Sequence, residues 1–173
     1  ISTIQQGVAS ADRVFEILDE KNEVPLPDKP VVLKPMDGRI CFRDVWFSYK
    51  DKSWVLKGLD FEIEKGQKVA VVGSTGAGKS TLADLVMRFY DPQKGCILID
   101  GTDLRQLDLK TYRRQIGVVP QDPVLMKGTL AYNIGYGFEG VTDADMVKAA
   151  EIAGILDFIR GLPDGFDTEV GER

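Results

Sequence analysis

The 173-residue sequence contains no histidine, only two cysteines and no apolar stretch of about 18 residues that could cross a membrane. Without an imidazole, the chain cannot build a Ser-His-Asp triad or a histidine proton shuttle. Cys41 and Cys96 lie far apart among apolar neighbours, without the spacing of metal ligands. They are therefore predicted to be small core residues with free thiols in a reducing compartment.

The sequence also lacks an excess of positive charge. Its 22 basic and 27 acidic residues give a formal net charge of −5, and no basic run stands out. This balance disfavours a general electrostatic attraction to nucleic acid or to an anionic membrane surface. Hydrophobic residues make up 43% and charged residues 28% of the chain, as in soluble globular proteins. Any phosphate binding must be local and built from backbone N–H groups with one or two cations.

The first 38 residues differ in pattern from the rest. Apolar residues in 1–20 recur at steps of three and four, which predicts an amphipathic helix. This helix could pack on its own domain, or it could be the tail of a longer helix that belongs to a missing upstream domain. Residues 21–38 contain four prolines and no periodicity, which predicts an extended linker and favours the second interpretation. Residues 39–173 would then form one domain, incomplete at its C-terminus.

From residue 39 onward, the patterns predict an α/β fold with an antiparallel β portion at the front. Alternating apolar residues indicate half-buried strands near residues 40–49 and 59–63. Further strands are predicted at Lys68–Val72, Cys96–Ile99 and Ile116–Val119. Helices are predicted at Lys79–Phe89, from the N-cap Asp108 to Arg114, and at Thr142–Ile159 with a capping box between Thr142 and Asp145.

The strongest motif follows the apolar run Lys68–Val72. It has the form G-x-x-x-x-G-K-[ST], and its residues are Gly73, Ser74, Thr75, Gly76, Ala77, Gly78, Lys79 and Ser80, followed by Thr81. Glycines let consecutive N–H groups converge on a phosphate, and the N-terminus of the following helix adds unpaired donors. Lys79 would reach the β- and γ-phosphates, and the Ser80 hydroxyl would bind Mg²⁺. A chance match arises in roughly one chain of this length in a hundred, before the strand and helix context is required.

A second group of residues lies upstream of this motif and indicates a particular family. Tyr49 precedes Gly73 by 24 positions, and Val55 lies between them. This arrangement resembles the nucleotide-binding domain of ABC transporters. The resemblance implies a P-loop ATPase core with an antiparallel β subdomain and the start of a helical subdomain. It also implies that Tyr49 stacks on the adenine of ATP, with Val55 as an apolar contact. The alternative for Tyr49 is an ordinary half-buried aromatic residue of a strand.

Downstream residues continue the resemblance to the exporter branch of that family. The segment from Ile116 to Leu130 resembles the Q-loop region, which implies that Gln121 helps hold Mg²⁺ and the attacking water. Met126 departs from the phenylalanine that exporters usually have there. The stretch Asp167–Arg173 resembles the exporter X-loop, which implies that Glu172 contacts the membrane domain.

Three motifs of complete ABC domains do not occur in these 173 residues: Leu-Ser-Gly-Gly-Gln, an apolar strand ending in Asp-Glu, and the switch histidine. The run Ile97–Asp100 is apolar and ends in aspartate, so it could be taken for the second of these motifs. In the family, however, this string matches the G-x-I-x-I-D-G hairpin, which lies earlier in the chain than that strand. The resemblance therefore implies a piece that binds ATP and Mg²⁺, with Lys79 and Gln121 as catalytic residues, but that hydrolyses little ATP alone.

The resemblance implies a parent exporter subunit at the cytoplasmic face of the cell membrane, with a fused or associated transmembrane domain. Its partner would be a second ATPase subunit in a head-to-tail dimer, and no nucleic acid is expected. The alternative is a soluble ABC-type ATPase that acts in DNA repair or translation, which the helix and linker before residue 39 disfavour. A signalling GTPase is disfavoured because no Asn-Lys-x-Asp motif occurs. The transported substrate cannot be inferred from this segment.

Overall fold

The computed structural model describes residues 11–19, 24–33, 35–50 and 53–171. The chain divides into two compact units, residues 1–117 and 118–173. Residues 11–18 are helical (α1) and exposed along their whole length. None of the helices in the described ranges is both long enough and apolar enough to span a bilayer.

An antiparallel sheet of four strands forms the centre of the first unit. Its strands are β1 (Ile40–Phe47), β2 (Leu56–Ile63), β3 (Lys94–Ile99) and β4 (Thr102–Asp103), in the spatial order β2-β1-β3-β4. The predicted β portion at the front is thus confirmed. The turn between β3 and β4 is Asp100-Gly101, and both residues have positive φ, as the sequence pair predicts.

A bulge interrupts the pairing of β1 with both of its neighbours. Asp44 has φ +45°, and the register shifts on either side of it. Gly95 of β3 lies directly against this bulge with φ +77°. A Cβ atom at Gly95 would lie 2.2 Å from the carbonyl oxygens of both Arg43 and Asp44. The close approach of the two backbones therefore requires glycine at this position.

Two helices pack on the apolar side chains of this sheet. They are α2 (Lys79–Val86) and α3 (Leu109–Arg113). Leu85 of α2 and Tyr112 of α3 are buried in one core cluster with side chains of β1, β2 and β3. Asp108 caps α3 as predicted, because its side chain accepts a hydrogen bond from the backbone N–H of Thr111 at 2.8 Å.

The second unit is a small helical body. It contains β5 (Gly128–Thr129), α4 (Leu130–Gly135), α5 (Asp143–Ile152), α6 (Leu156–Arg160) and β6 (Glu169–Val170). The strands β5 and β6 pair antiparallel, and Ala150, Leu156 and Ile159 form the core. The capping box of Thr142 and Asp145 at the start of α5 is confirmed.

The structure differs from the sequence prediction at three places. The predicted strands Lys68–Val72 and Ile116–Val119 form no ladder among the described residues, and Val72 and Val119 are 87% and 96% exposed. A parallel strand needs neighbouring strands on its edges, and the described part of the chain provides none for these segments. The predicted helix Thr142–Ile159 was also too long. It stops after Ile152 because Gly154 adopts φ +71° and ends it, and α6 follows separately.

Candidate nucleotide site

The glycine-rich turn of the first unit leads directly into α2. Gly76 has φ +82°, and Gly78, the N-cap residue of α2, has φ +87°, so both occupy the left-handed region that favours glycine. A Cβ atom at Gly78 would come within 3.0 Å of Leu56 Cδ2 and 3.3 Å of Val55 Cγ1. Gly78 therefore lies close against the start of β2, and Val55, a predicted site residue, lies beside the turn.

Lys79 folds back over the turn from the first position of α2. Its Nζ donates hydrogen bonds to the backbone oxygens of Gly73 and Ser74, both at 2.8 Å. The ammonium group thus lies over the loop, held by carbonyl groups that are uncharged. A phosphate oxygen carries a negative charge and is a stronger acceptor for this group than either carbonyl. The arrangement is that of a cation that can exchange its two carbonyl partners for an anion.

The N-terminus of α2 has no side-chain cap, because its N-cap residue is Gly78. The first N–H groups of a helix have no partner within the helix, so an uncapped N-terminus offers donors and a partial positive charge to an anion. Of the two hydroxyl residues that follow Lys79, Ser80 is exposed and Thr81 is buried, at 4% exposure. The exposed Ser80 therefore fits the predicted metal ligand, whereas the side chain of Thr81 is buried and contacts Tyr49.

Thr81 connects the helix to Tyr49. The Tyr49 hydroxyl lies 3.0 Å from Thr81 Oγ1 and donates a hydrogen bond to Asp84 Oδ2, also at 3.0 Å. Its ring meets the rings of Phe47 and Tyr90 edge to face, with centroid distances of 4.9 and 5.2 Å. Burial raises the pKa of Tyr49, so the hydroxyl stays protonated at neutral pH.

These contacts place Tyr49 beside the first turns of α2, although it precedes Gly73 by 24 positions along the chain. The residue is 48% exposed, so part of its ring remains open to a ligand. Thr81 and Asp84 were not predicted as the partners of Tyr49. Their spacing of three places both on one face of a helix, and this was the signal that could have indicated a shared contact.

The residues of the turn fit a triphosphate with Mg²⁺ by the chemistry of their donors. Lys79 Nζ, the uncapped N–H groups of α2 and the backbone N–H groups of the turn are all donors suited to phosphate oxygens. The hydroxyl of Ser80 is an oxygen ligand of the kind that Mg²⁺ prefers. Residues 73–80 can therefore hold a phosphate chain, with a cation beside Ser80.

Gln121 belongs to the second unit and is exposed. The segment downstream of it is held by Asn133 of α4. The Asn133 side chain accepts a hydrogen bond from Met126 N at 2.8 Å and donates to Met126 O and Thr129 O, both at 2.9 Å. These three hydrogen bonds of Asn133 were not predicted from the sequence. Asn133 fixes the point at which the loop that carries Gln121 joins β5.

Glu172, the predicted contact to a membrane domain, lies outside the described residues. Its neighbour Gly171 is described and packs tightly against Lys127, where a Cβ atom would lie 2.9 Å from the Lys127 Cα. The pairing of β5 with β6 brings these two positions together. The segment before Glu172 therefore lies beside the end of the loop that carries Gln121.

The chain is similar in sequence to a family of transport proteins. The family model described as "ABC transporter" matches residues 56–165. The chain is 46% identical over 174 residues to an ATM1-type heavy metal exporter of Novosphingobium aromaticivorans, a match that covers 99% of this chain and 28% of that protein. It is 43% identical over 171 residues to an ATP-dependent lipid A-core flippase of Syntrophus aciditrophicus, which covers 99% of this chain and 28% of the flippase.

A solved structure, described as a bacterial Atm1-family ABC exporter with ATP bound, is similar to the whole chain. The two share 44% sequence identity with a TM-score of 0.86, and the match covers 99% of this chain and 30% of that one. The chain thus spans less than a third of the length of the relatives that it matches. At this identity the likeness extends to the sequence as well as to the fold.

Proposed function

This chain belongs to the ABC transporter family, and on that premise we propose that it is the ATP-binding part of an exporter that couples ATP binding and hydrolysis to transport across a membrane. Among its relatives are proteins named as an exporter and as a flippase. Those names favour a transport motor over the alternative of a soluble ATPase in DNA repair or translation.

One observation carries the proposal at the level of atoms. Lys79 Nζ is held by the carbonyl oxygens of Gly73 and Ser74 directly over the glycine turn, at the uncapped N-terminus of α2. We propose that the polyphosphate of ATP takes the place of these two carbonyls. Its charge would then be neutralised by Lys79 and by the backbone N–H groups of residues 73–81.

Two further groups complete the proposed site. Tyr49 offers part of its ring to adenine, and the bonds of its hydroxyl to Thr81 and Asp84 hold that ring beside α2. Stacking of a base on an aromatic ring contributes about 1–3 kcal/mol without reading the identity of the base. Val55, beside Gly78, adds an apolar contact.

Mg²⁺ would be held by Ser80, with Gln121 as a second ligand, and it would neutralise charge on the phosphates. Gln121 suits this role because a carboxamide can accept through oxygen and donate through nitrogen without a change of charge. In this account Lys79 binds and orients the phosphates, and Gln121 positions the attacking water.

The parent protein is proposed to act at the cytoplasmic face of the membrane. Its partners would be a fused or associated transmembrane domain, contacted through Glu172, and a second ATPase subunit in a head-to-tail dimer. Because the signature sequence and the Asp-Glu strand end do not occur in these 173 residues, we expect the chain alone to bind nucleotide and to hydrolyse little.

The experiment that tests the proposal is an ATPase assay on the full-length protein that carries this chain. Lys79→Ala removes the side-chain cation that lies over the turn, and loss of one such charge-stabilising group costs roughly 100- to 1000-fold in turnover. Lys110→Ala is the matched control, because Lys110 is an exposed lysine of α3. We expect turnover to fall by that factor for Lys79→Ala and to be unchanged for the control. Equal turnover in the wild type and Lys79→Ala would refute the proposal.

A further inference from the structure

Just beyond the end of helix α2, Arg88 is a non-glycine residue in the left-handed backbone conformation. Its N–H donates to Leu85 O at 3.0 Å, and the N–H of Phe89 donates to Asp84 O at 2.9 Å, which together form a Schellman motif. The left-handed position of this motif is usually glycine, as it is at Gly154 after α5. Here it is Arg88, with φ +54°, and an arginine is strained in this conformation.

Burial of the charged Arg88 side chain also costs free energy. It is fully buried, with 0% exposure, and its Nη1 has no hydrogen-bond partner among the described residues. Its remaining donors go to Asp91, from Nε at 3.0 Å and from Nη2 at 3.3 Å, and to the backbone oxygen of Pro25, from Nη2 at 2.7 Å. A buried guanidinium is tolerated only where such partners compensate it. Because glycine would avoid both costs, the arginine side chain is expected to make an interaction that glycine cannot make.

What Arg88 supplies is a bond to the segment that precedes the sheet. Val24, next to Pro25, is buried at 7% exposure. Farther along this segment, Val31 N donates to Gln106 O and Asp108 N donates to Val31 O, both at 2.8 Å. Residues 24–33, which we call the strap, are therefore attached to the first unit at both ends.

The end of the strap and the residues that follow it are hydrogen-bonded to Gln115, just beyond α3. Gln115 Nε2 donates to Leu33 O at 2.9 Å, and Met36 N donates to Gln115 Oε1 at 3.0 Å. Tyr112 and Arg113 of α3 in turn hold the end of α2. The Tyr112 hydroxyl donates to Val86 O at 2.7 Å, and Arg113 donates to the backbone oxygens of Met87 and Arg88 at 2.9 and 2.8 Å.

The phosphate site and the strap thus lie at opposite ends of one short helix. α2 has eight residues, which corresponds to a length of about 12 Å. Lys79 is its first residue, and Arg88 lies two residues beyond its last. A helix of this length moves as a rigid element. Loss of the hydrogen bonds at its C-terminal end would therefore also displace its N-terminal end.

We propose that Arg88 is a positioning residue that couples the strap to the nucleotide site through α2. With the strap docked, Arg88 is compensated and α2 holds the glycine turn in its binding geometry. With the strap displaced, Arg88 loses the backbone oxygen of Pro25 as a hydrogen-bond partner, the end of α2 shifts, and nucleotide binds less tightly. Coupling between two sites is reciprocal, so bound nucleotide must also favour the docked strap. The inference rests on the proposed nucleotide site.

The test compares Arg88→Gly with wild type in the full-length protein. Glycine suits the left-handed backbone, so this variant keeps the helix end while it removes the whole buried side chain with its guanidinium. Two quantities are measured: the affinity for a non-hydrolysable ATP analogue with Mg²⁺, and hydrogen exchange at the amides of Val31 and Asp108. Arg114→Gly is the control for loss of one positive charge, because Arg114 is exposed at the end of α3.

We expect Arg88→Gly to speed exchange at both amides and to weaken nucleotide binding roughly five- to tenfold, the lower part of the range for coupled sites. In the wild type, the nucleotide analogue should slow exchange at the same amides, and in Arg88→Gly it should not. Arg88→Lys should fall between, since lysine cannot reproduce the planar fork of arginine. Arg114→Gly should match wild type in both measurements.

Two results would overturn the coupling while leaving the nucleotide site intact. One is unchanged exchange at Val31 and Asp108 in Arg88→Gly. The other is faster exchange with nucleotide affinity within twofold of wild type. If Arg88→Gly does not fold, Val24→Ser loosens the same end of the strap without a change at Arg88 and must give the same pair of effects. No nucleotide binding by wild type would instead refute the proposed function itself.

Discussion

Replacement of Gly95 by alanine tests the account of the β1 bulge. The new Cβ would lie 2.2 Å from the carbonyl oxygens of Arg43 and Asp44, far inside van der Waals contact. Both neighbours are backbone atoms, so no side chain can rotate away. Relief requires β3 to move away from β1, which disturbs the pairing of Arg43 with Cys96.

The expected cost has two parts. A left-handed backbone at φ +77° costs an alanine about 1–2 kcal/mol. Overpacking against fixed neighbours adds about 1–3 kcal/mol or more. Together they predict that Gly95→Ala lowers the free energy of unfolding by about 2–5 kcal/mol. Gly66 provides the matched control, because it has φ +73° and a Cβ added there would meet no atom within 4 Å.

The measurement is urea unfolding of wild type, Gly95→Ala and Gly66→Ala, followed by circular dichroism. Gly66→Ala should lose only the backbone part, about 1–2 kcal/mol. The difference between the two variants isolates the steric clash and should be at least about 1 kcal/mol. Equal destabilisation of the two variants would show that β3 does not approach the bulge as closely as described.

Two further predictions concern hydrogen bonds, and a third concerns the stacking of Tyr49 on adenine. Tyr112→Phe removes the buried donor to Val86 O and should cost about 1–3 kcal/mol of unfolding free energy, measured by thermal denaturation; no loss would contradict the bond. Hydrogen bonds from the Thr142 side chain and backbone lower the pKa of Asp145, so the capping box stabilises α5 above about pH 4 and is lost as the pH falls through the lowered pKa. Asp145→Asn should flatten this acid dependence in pH-dependent unfolding, and an unchanged profile would refute it. Tyr49→Ala should weaken binding of an ATP analogue about tenfold and Tyr49→Phe less than about threefold, because the ring does the stacking; equal losses would refute adenine stacking.

Local signals in the sequence predicted local structure well. Asp108 is followed three residues later by an amide that its side chain caps, and Thr142 and Asp145 have the spacing of a reciprocal cap. The pair Asp100-Gly101 supplies the two left-handed residues of a tight turn. Each of these depends on residues within three or four positions, so the sequence contains all the information that is needed.

Two of the three errors arose where structure depends on distant partners. Val72 and Val119 belong to apolar runs typical of buried strands, but a strand exists only where another segment pairs with it. For Gly154 the signal was present, since a glycine followed by an apolar residue ends many helices, but the periodicity beyond it masked the break.

In the candidate site, too, the local motif could be predicted from the sequence, whereas contacts between distant residues could not. The motif from Gly73 to Ser80 identified the turn, and the structure adds that Lys79 is bonded to two of its carbonyls. The sequence could not indicate that Tyr49 is anchored to α2 through Thr81 and Asp84, because these contacts span more than 30 positions. Nor could it show that Arg88 is buried against Pro25, since arginine at a helix end is ordinarily an exposed residue.

The most direct test of the central claim is a structure of the full-length protein with Mg²⁺ and a non-hydrolysable ATP analogue. The account predicts that the phosphates lie against the backbone of residues 73–81 and that Lys79 Nζ leaves the oxygens of Gly73 and Ser74 for the phosphate oxygens. A nucleotide bound elsewhere, with Lys79 still bonded to those two carbonyls, would contradict it.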